Sequence, residues 1–464
     1  MLYWQSGTVF TLLLLGVLLL LGSLLTRIGP VGRLGIPVSI LAGVFGLVLG
    51  PDVLGLFPFD RDLLELVVYH GLGIVFIAVA LMNPPAGRRG GGALSIAFAV
   101  PFMGSLQGLI GLLSVLLLGL GMGTVLHPAF GILLPYGYEQ GPGQALAIGA
   151  AWEQSFGMPD GAQVGLIIAA AGFTWAIIFG IPLVAWGRAR GLLSPPAARK
   201  GEASAETLAE RLSVGSLELL TRQMVAIGAV YLATYGLIVL LVRLLAGMPD
   251  IANMLWGFHY IVGALLALPT RALLKKYTVE SPLNDELLGR INGFTVDVVT
   301  CAALAAIQIA VFREHWLPIL VVTSLGGVIT LLGAVWVSKR SFPDEPFEHG
   351  LLLFGMATGT VPMGLALLRM VDPELRGTVP SSCVIGSAAT IPISAPLYLF
   401  IMPFAVTQWG GNYPLMGWVG VGLILAYLVV LVAAWRLVGP LSFKRPLLAL
   451  WPPDEPVAEA VSSD

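Results

Sequence analysis

Residues 128–157 read PAFGILLPYGYEQGPGQALAIGAAWEQSFG, and residues 347–371 read FEHGLLLFGMATGTVPMGLALLRMV. Each is an apolar arm, a break rich in Gly, Pro or Thr, and a second apolar arm. Bare peptide groups at such a break are costly in hydrocarbon. They are tolerated only where protein buries them or where they line a cavity. How these two stretches lie in a membrane decides the topology of everything around them.

The composition demands a membrane. The chain has 464 residues, 57% hydrophobic and 11% charged, against roughly 25% charged in an ordinary soluble domain. Mean hydropathy is +0.90. With 24 Lys and Arg against 26 Asp and Glu, the net charge is −2, and there is no basic excess to hold nucleic acid. Cys301 and Cys383 both lie in apolar runs, so neither a disulfide framework nor a Cys/His zinc pattern is present. A soluble enzyme, a secreted module and a nucleic-acid binder are all disfavoured.

A crossing takes about 20 mostly apolar residues. Eleven segments fit: 8–25, 35–57, 63–82, 95–125, 162–186, 223–246, 251–270, 290–313, 316–338, 381–406 and 413–438. The first is read as a crossing and not as a signal peptide, because no Lys or Arg precedes Arg27. If 128–157 and 347–371 are both re-entrant, only Arg61, Arg243 and Arg313 of the 24 basic residues fall on one side, and the other 21 share the opposite side. Were 128–157 a crossing, the basic segment 187–222 would change sides. The positive-inside rule therefore places the N-terminus outside and the C-terminus in the cytoplasm, in a cell inner (plasma) membrane.

An inverted repeat follows from parity. Residues 1–186 contain four crossings, a broken segment and one crossing, and residues 223–406 repeat that order. Five crossings is an odd number, so the second half enters upside down. The first break dips in from outside and the second from the cytoplasm. Segment 413–438 is an additional C-terminal helix, 187–222 is a cytoplasmic linker with an Ala/Glu/Leu-rich amphipathic part, and 452–464 is read as a disordered tail. The fold class is thus an all-α polytopic membrane protein, an inverted-repeat secondary transporter with two broken segments. Such transporters bind substrate where the breaks meet. There is no P-loop, which argues against ATP-driven transport by this chain.

The chemistry sits at the breaks. In the first, Gly141-Pro142-Gly143-Gln144, Gly143 lets a ligand approach the backbone. Pro142 ends the preceding helix, and the arm starting near Gln144 offers free N–H groups to an anion. In the second, Gly355-Met356-Ala357-Thr358-Gly359-Thr360-Val361-Pro362, two hydroxyls flank Gly359. Hydroxyls and carbonyls are hard donors suited to Na⁺. The plainer account of the second break is a Gly kink with Thr bonded back to its own helix.

These breaks resemble the paired motifs of the bacterial sodium/glutamate symporter family. The resemblance rests on GPGQA at 141–145, on the Gly/Ala-rich span down to Trp186-Gly187-Arg188, and on GMATGT…GLALLRMVDPEL at 355–375. It covers most of 30–190 and 345–405, as for a distant member. Pro142 stands where typical glutamate carriers have His in a Gly-His-Gly-type string. The resemblance implies an elevator-type, homodimeric carrier that moves glutamate or a related small carboxylate in symport with Na⁺.

Ionisable residues inside spans are functional candidates by default. Asp297 fits a Na⁺ or proton role and equally a polar contact with Thr300. Glu139 lies deep in the first break, where it would repel a carboxylate unless protonated or paired. Glu153 fits the outer interface. Glu65 and His70 project about 140° apart on a helix, which makes them poor joint ligands. Gln107 and Gln308 read as packing contacts, and Asp160 and Asp372 as caps of the helices that follow the breaks. Trp4, Trp186, Trp256, Trp409, Trp418 and Trp451 lie near span ends, as interfacial anchors do.

The expectation is a carrier, not an enzyme, with no cofactor and no metal beyond transported Na⁺. Gly141, Pro142, Gly143, Gln144, Gly359 and Thr360 would bind substrate. Thr358, Thr360, Asp297 and Glu139 are the candidates for the coupling ion. A proton-coupled or exchange transporter of another organic anion is the first alternative. An integral-membrane enzyme or sensor is the second, although no HExxH or GxSxG string occurs.

Overall fold

A computed structural model describes residues 7–32, 35–83, 91–194, 216–277, 283–407, 413–439, 441–443 and 449–451. The middle of the linker, the tail 452–464, Trp4 and Trp409 lie outside the described residues.

All regular structure among the described residues is helical. The first half contains α1 (Gly7–Leu25), α2 (Val38–Leu49), α3 (Arg61–Leu81) and α4 (Gly91–Met122). It continues with α5 (Ala129–Pro135), a π-helical turn (Tyr136–Gln140), α6 (Pro142–Phe156) and α7 (Gly161–Ala189). The second half contains α8 (Ser216–Leu244), α9 (Pro249–Gly257), α10 (His259–Tyr277), α11 (Asp285–Ala305), α12 (Trp316–Ser341) and α13 (Pro346–Arg369). Next comes α14 (Val379–Ala395), which runs on through a second π-helical turn (Pro396–Ile401) to Ala405, and then α15 (Tyr413–Val438). Local chemistry sets the ends. Asp60 caps α3 by accepting from Leu63 N–H at 3.2 Å, and Asn284 caps α11 by accepting from Leu287 N–H at 2.9 Å.

Ten of the described helices are long and apolar enough to cross a membrane, and the chain is a multi-pass membrane protein. Two of the expected crossings take other forms. Segment 35–57 is helical only over the 12 residues of α2, about 18 Å against a hydrocarbon core of about 30 Å. Segment 251–270 is a pair of helices, α9 and α10, bent by 70°. By length and apolarity α13 qualifies as a single crossing, but its backbone doubles back, as described below.

The helices form two packed groups. In one, α3 lies against α11, with α2 on α11 and α10 on α3, and α1 on α2 and α8 on α10. In the other, α4 lies against α12, with α5 on α4 and α13 on α12, and α14 on α4 and α7 on α12. Every one of these contacts in one half of the chain has a counterpart in the other half. In a membrane this packing rests on close van der Waals fit between small residues. At the crossing of α4 and α5, a Cβ on Gly111 would strike the carbonyl of Gly131, and the reverse also holds.

Side chains join the groups. Gln163 on α7 donates from Nε2 to Glu65 on α3 at 2.6 Å and to the Ala306 carbonyl at 3.2 Å. Its Oε1 accepts from Gln308 N–H at 2.9 Å. At the end expected to face outside from the charge count, Asp52 pairs with Arg61 and accepts from Ile309 N–H at 3.0 Å.

Candidate functional site

Residues 128–156 form a helical hairpin. His127 Nε2 donates to the Phe156 carbonyl at 3.1 Å, so the two ends of the segment meet. An unbroken helix of that length would separate them by about 40 Å. The turn lies where local chemistry requires it. Gly141 adopts φ 95° and ψ 177°, a conformation that only glycine takes cheaply, and Pro142 follows at the first helical position. The first intrahelical bond runs from Ala145 N–H to the Gly141 carbonyl at 3.1 Å. The N–H groups of Gly143 and Gln144 thus have no partner within α6 and mark its positive end.

Residues 346–369 form a second hairpin. Backbone dihedrals leave the helix at Gly359 and at Thr360, where φ is 66° and ψ 177°. A Cβ on Gly355 would lie 2.6 Å from Gly364 Cα, whereas nine residues of straight helix span about 13.5 Å. A Cβ on Gly364 would lie 2.7 Å from the Leu352 carbonyl oxygen. The start of this hairpin is tied to the start of α14: Glu345 Oε2 accepts from Thr378 N–H and from its hydroxyl, both at 2.7 Å. A β-branched residue with positive φ is a genuine outlier, and such strain clusters at functional sites.

The two tips touch. A Cβ on Gly141 would sit 2.6 Å from Thr360 Cγ2. Gly172 on α7 completes the seam, since any Cβ there would collide with the Thr358 carbonyl oxygen and approach the ring of Tyr138. Thus Gly141, Pro142, Gly143, Gln144, Thr358, Gly359 and Thr360, from two breaks more than 200 residues apart, belong to one locus. Gly143 faces the other helical group, its Cβ position 3.0 Å from Leu72 Cδ1. Gln144 is buried with Oε1 unpartnered. Thr358 donates to the Phe354 carbonyl at 2.7 Å, the back-bonded arrangement, with its oxygen lone pairs still available. Glu139 is buried, and its Oε1 accepts from the Tyr398 hydroxyl at 2.9 Å and from Gln140 Nε2 at 3.2 Å.

No hydrogen bond ties Asp297 to the residues of the tips. This residue is exposed on α11 and makes no hydrogen bond to Thr300. Glu153 is exposed near the start of α7 and accepts from Ala162 N–H at 3.5 Å. Glu65 and His70 take separate partners: Gln163 for Glu65, and the Tyr231 hydroxyl at 2.7 Å for His70. The expected caps differ. Asp160 has a left-handed backbone and no capping bond, because its carboxylate accepts from His315 Nε2 at 3.0 Å. Asp372 accepts from Gly377 N–H at 2.9 Å, one residue before the cap position of α14.

Gln107 makes the packing contacts expected of it, and Tyr398 is an anchor that sequence reasoning missed. Gln107 on α4 reaches the second hairpin, donating to the Ala357 carbonyl at 2.7 Å and to Thr330 Oγ1 at 2.9 Å. Tyr398, in the second π-turn, accepts at its carbonyl from the Tyr136 hydroxyl at 2.5 Å and donates its own hydroxyl to Glu139. The run Pro392…Pro396…Pro403 is the signal that marks this irregular helix. No protein-family model and no curated protein matches this chain.

Proposed function

We propose that this multi-pass membrane protein is a secondary active carrier, an inverted-repeat transporter of the kind its breaks resemble in the sodium/glutamate symporter family. The observation that carries the reading is the meeting of the two hairpin tips. A polar break in each half of an otherwise apolar chain comes together at one locus, the arrangement in which broken segments of transporters bind substrate. The exchange of packing contacts between the halves supports the repeat.

A small carboxylate such as glutamate is held between the tips by the free N–H groups of Gly143 and Gln144 and by the Gln144 amide, with Gly359 and Thr360 opposite. Na⁺ is coordinated by the Thr358 and Thr360 oxygens and neighbouring carbonyls. The group carrying the hairpins shifts against the group built on α3 and α11, which gives alternating access by an elevator motion. Gln163–Glu65 and Gly143–Leu72 lie on the surface between them. The protein works as a homodimer in a cell inner membrane, N-terminus outside, with no cofactor and no enzymatic step.

Proteoliposomes test this. Radiolabelled glutamate should accumulate only with an inward Na⁺ gradient. Uptake indifferent to Na⁺ removes the coupling, and a thermal-shift screen of amino acids and dicarboxylates with and without Na⁺ then identifies what stabilises the folded carrier.

A further inference from the structure

We propose that Glu139 is a proton-binding site, its carboxyl group carrying a proton on Oε2 while Oε1 accepts from Tyr398. The group lies two residues before Gly141, in the π-turn of the first hairpin. Oε1 has its two donors, the Tyr398 hydroxyl and Gln140 Nε2. Oε2 is enclosed, makes no well-formed hydrogen bond, and has only the backbone of Gly104 beside it. A carboxylate in that state has half of its acceptor capacity desolvated and compensated by no side-chain donor.

Among the described residues no cation compensates it. No ionisable residue occurs in α4 or α5, and α6 has only Glu153, at its far end. The charged residue of α7 is Arg188, in its last turn, and those of α12 are Lys339 and Arg340, also in the last turn. On α13, Glu348, His349 and Arg369 lie at the base of the hairpin, away from its tip. Residues 379–405 contain no Asp, Glu, Lys, Arg or His, and α15 has only Arg436, in its last turn. The titratable groups facing Glu139 are tyrosines: Tyr398 by direct bond, and Tyr427 of α15 at longer range. A proton neutralises the group in place.

A metal cation fits poorly. Hard cations gather about six oxygens, but the α4 backbone passes directly over this pair. A Cβ on Gly104 would lie 3.2 Å from Glu139 Oε2 and would strike the Tyr398 hydroxyl. A second feature singles out the place. The π-turn of the first half (Tyr136–Gln140) meets that of the second (Pro396–Ile401) here, through Glu139–Tyr398 and through Tyr136–Tyr398. Such turns interrupt helices frequently at functional sites.

The consequence for transport rests on the carrier reading; the proton occupancy does not. An ionised Glu139 beside the first tip repels a carboxylate, and a protonated one does not. Proton and anion therefore favour each other's binding, and by linkage the effect is reciprocal.

Infrared difference spectroscopy of the purified full-length protein in detergent decides the occupancy without any substrate. At neutral pH a protonated-carboxyl C=O band is expected in Na⁺-free buffer, and it should be lost in Glu139→Gln. In Tyr398→Phe the band should persist at higher frequency, because the carbonyl loses a donor. That second variant assigns the band even if Glu139→Gln fails to fold. Absence of a band responding to either change overturns the proposal, as does an ionised-carboxylate band that shifts on adding Na⁺. In proteoliposomes, Glu139→Gln should abolish the pH dependence of glutamate uptake while Na⁺ dependence remains. If wild-type protein takes up no glutamate, the substrate assignment fails, and the infrared result still stands or falls by itself.

Discussion

The contact between the hairpin tips can be tested by a double-mutant cycle on Gly141 and Thr360. Gly141→Ala places a side chain at φ 95°, ψ 177°, at a cost of order 1–3 kcal/mol. The new Cβ also lies 2.6 Å from Thr360 Cγ2, well inside the roughly 3.5–4.0 Å of an ordinary carbon contact, which adds about 1–3 kcal/mol of overpacking. Thr360→Ser removes that methyl, keeps the hydroxyl, and alone costs at most about 0.8 kcal/mol of lost burial. In the double variant the clash disappears and the dihedral strain stays. The predicted coupling is therefore about 1–2 kcal/mol, with Gly141→Ala less harmful when combined with Thr360→Ser than alone. Equilibrium unfolding in bicelles measures all four corners. Changes that add to within about 0.5 kcal/mol, the behaviour of separated sites, would refute the contact and with it the reasoning that a single locus is formed.

Other outcomes follow from the same geometry. Gln107→Leu removes the donor to the Ala357 carbonyl beside the second break and should lower stability by about 1–2 kcal/mol; unchanged unfolding would show that this bond anchors nothing. Gln163→Leu strands the Glu65 carboxyl oxygen and the Gln308 N–H, with an expected loss of about 2–3 kcal/mol and faster protease cleavage between the helical groups. His127, in the loop before α5, is held below the usual imidazole range by burial, partly offset by its bond to the Phe156 carbonyl. The native state needs it neutral, since Nδ1 accepts from Ala129 N–H at 3.2 Å. Its contribution is present above about pH 6.5 and is lost as the pH falls below that. Thermal unfolding from neutral to mildly acidic pH should therefore fall less steeply in His127→Asn than in wild type, and equal slopes would exclude this role.

Much of this architecture is written in local chemistry. The hairpin turns fall at Gly141-Pro142 and at Gly359-Thr360 because a glycine or a strained residue must interrupt the helix there, and those residues are visible in the chain. The apolar runs of α1, α3, α4, α7, α8, α12 and α15 announce themselves through length and hydropathy, which are additive along a segment. The shortness of α2 is easily passed over because Val53, Leu54, Leu56 and Phe57 carry the apolar run past the break at Gly50-Pro51-Asp52, where the chain leaves the helix for an irregular turn. The capping role expected of Asp160 failed for a related reason: His315, 155 residues away, offers its carboxylate a better partner than the local backbone.

What the sequence alone determined was the solvent, most of the long helices and the two places where they break, since each depends on neighbouring residues. What the tertiary structure decided was which breaks and side chains meet. Glu139 with Tyr398, Gln107 with Ala357 and Gly141 with Thr360 are pairs more than 200 residues apart. A side chain's spacing along the chain sets the face it occupies but not the partner across it, because that depends on how whole helices pack.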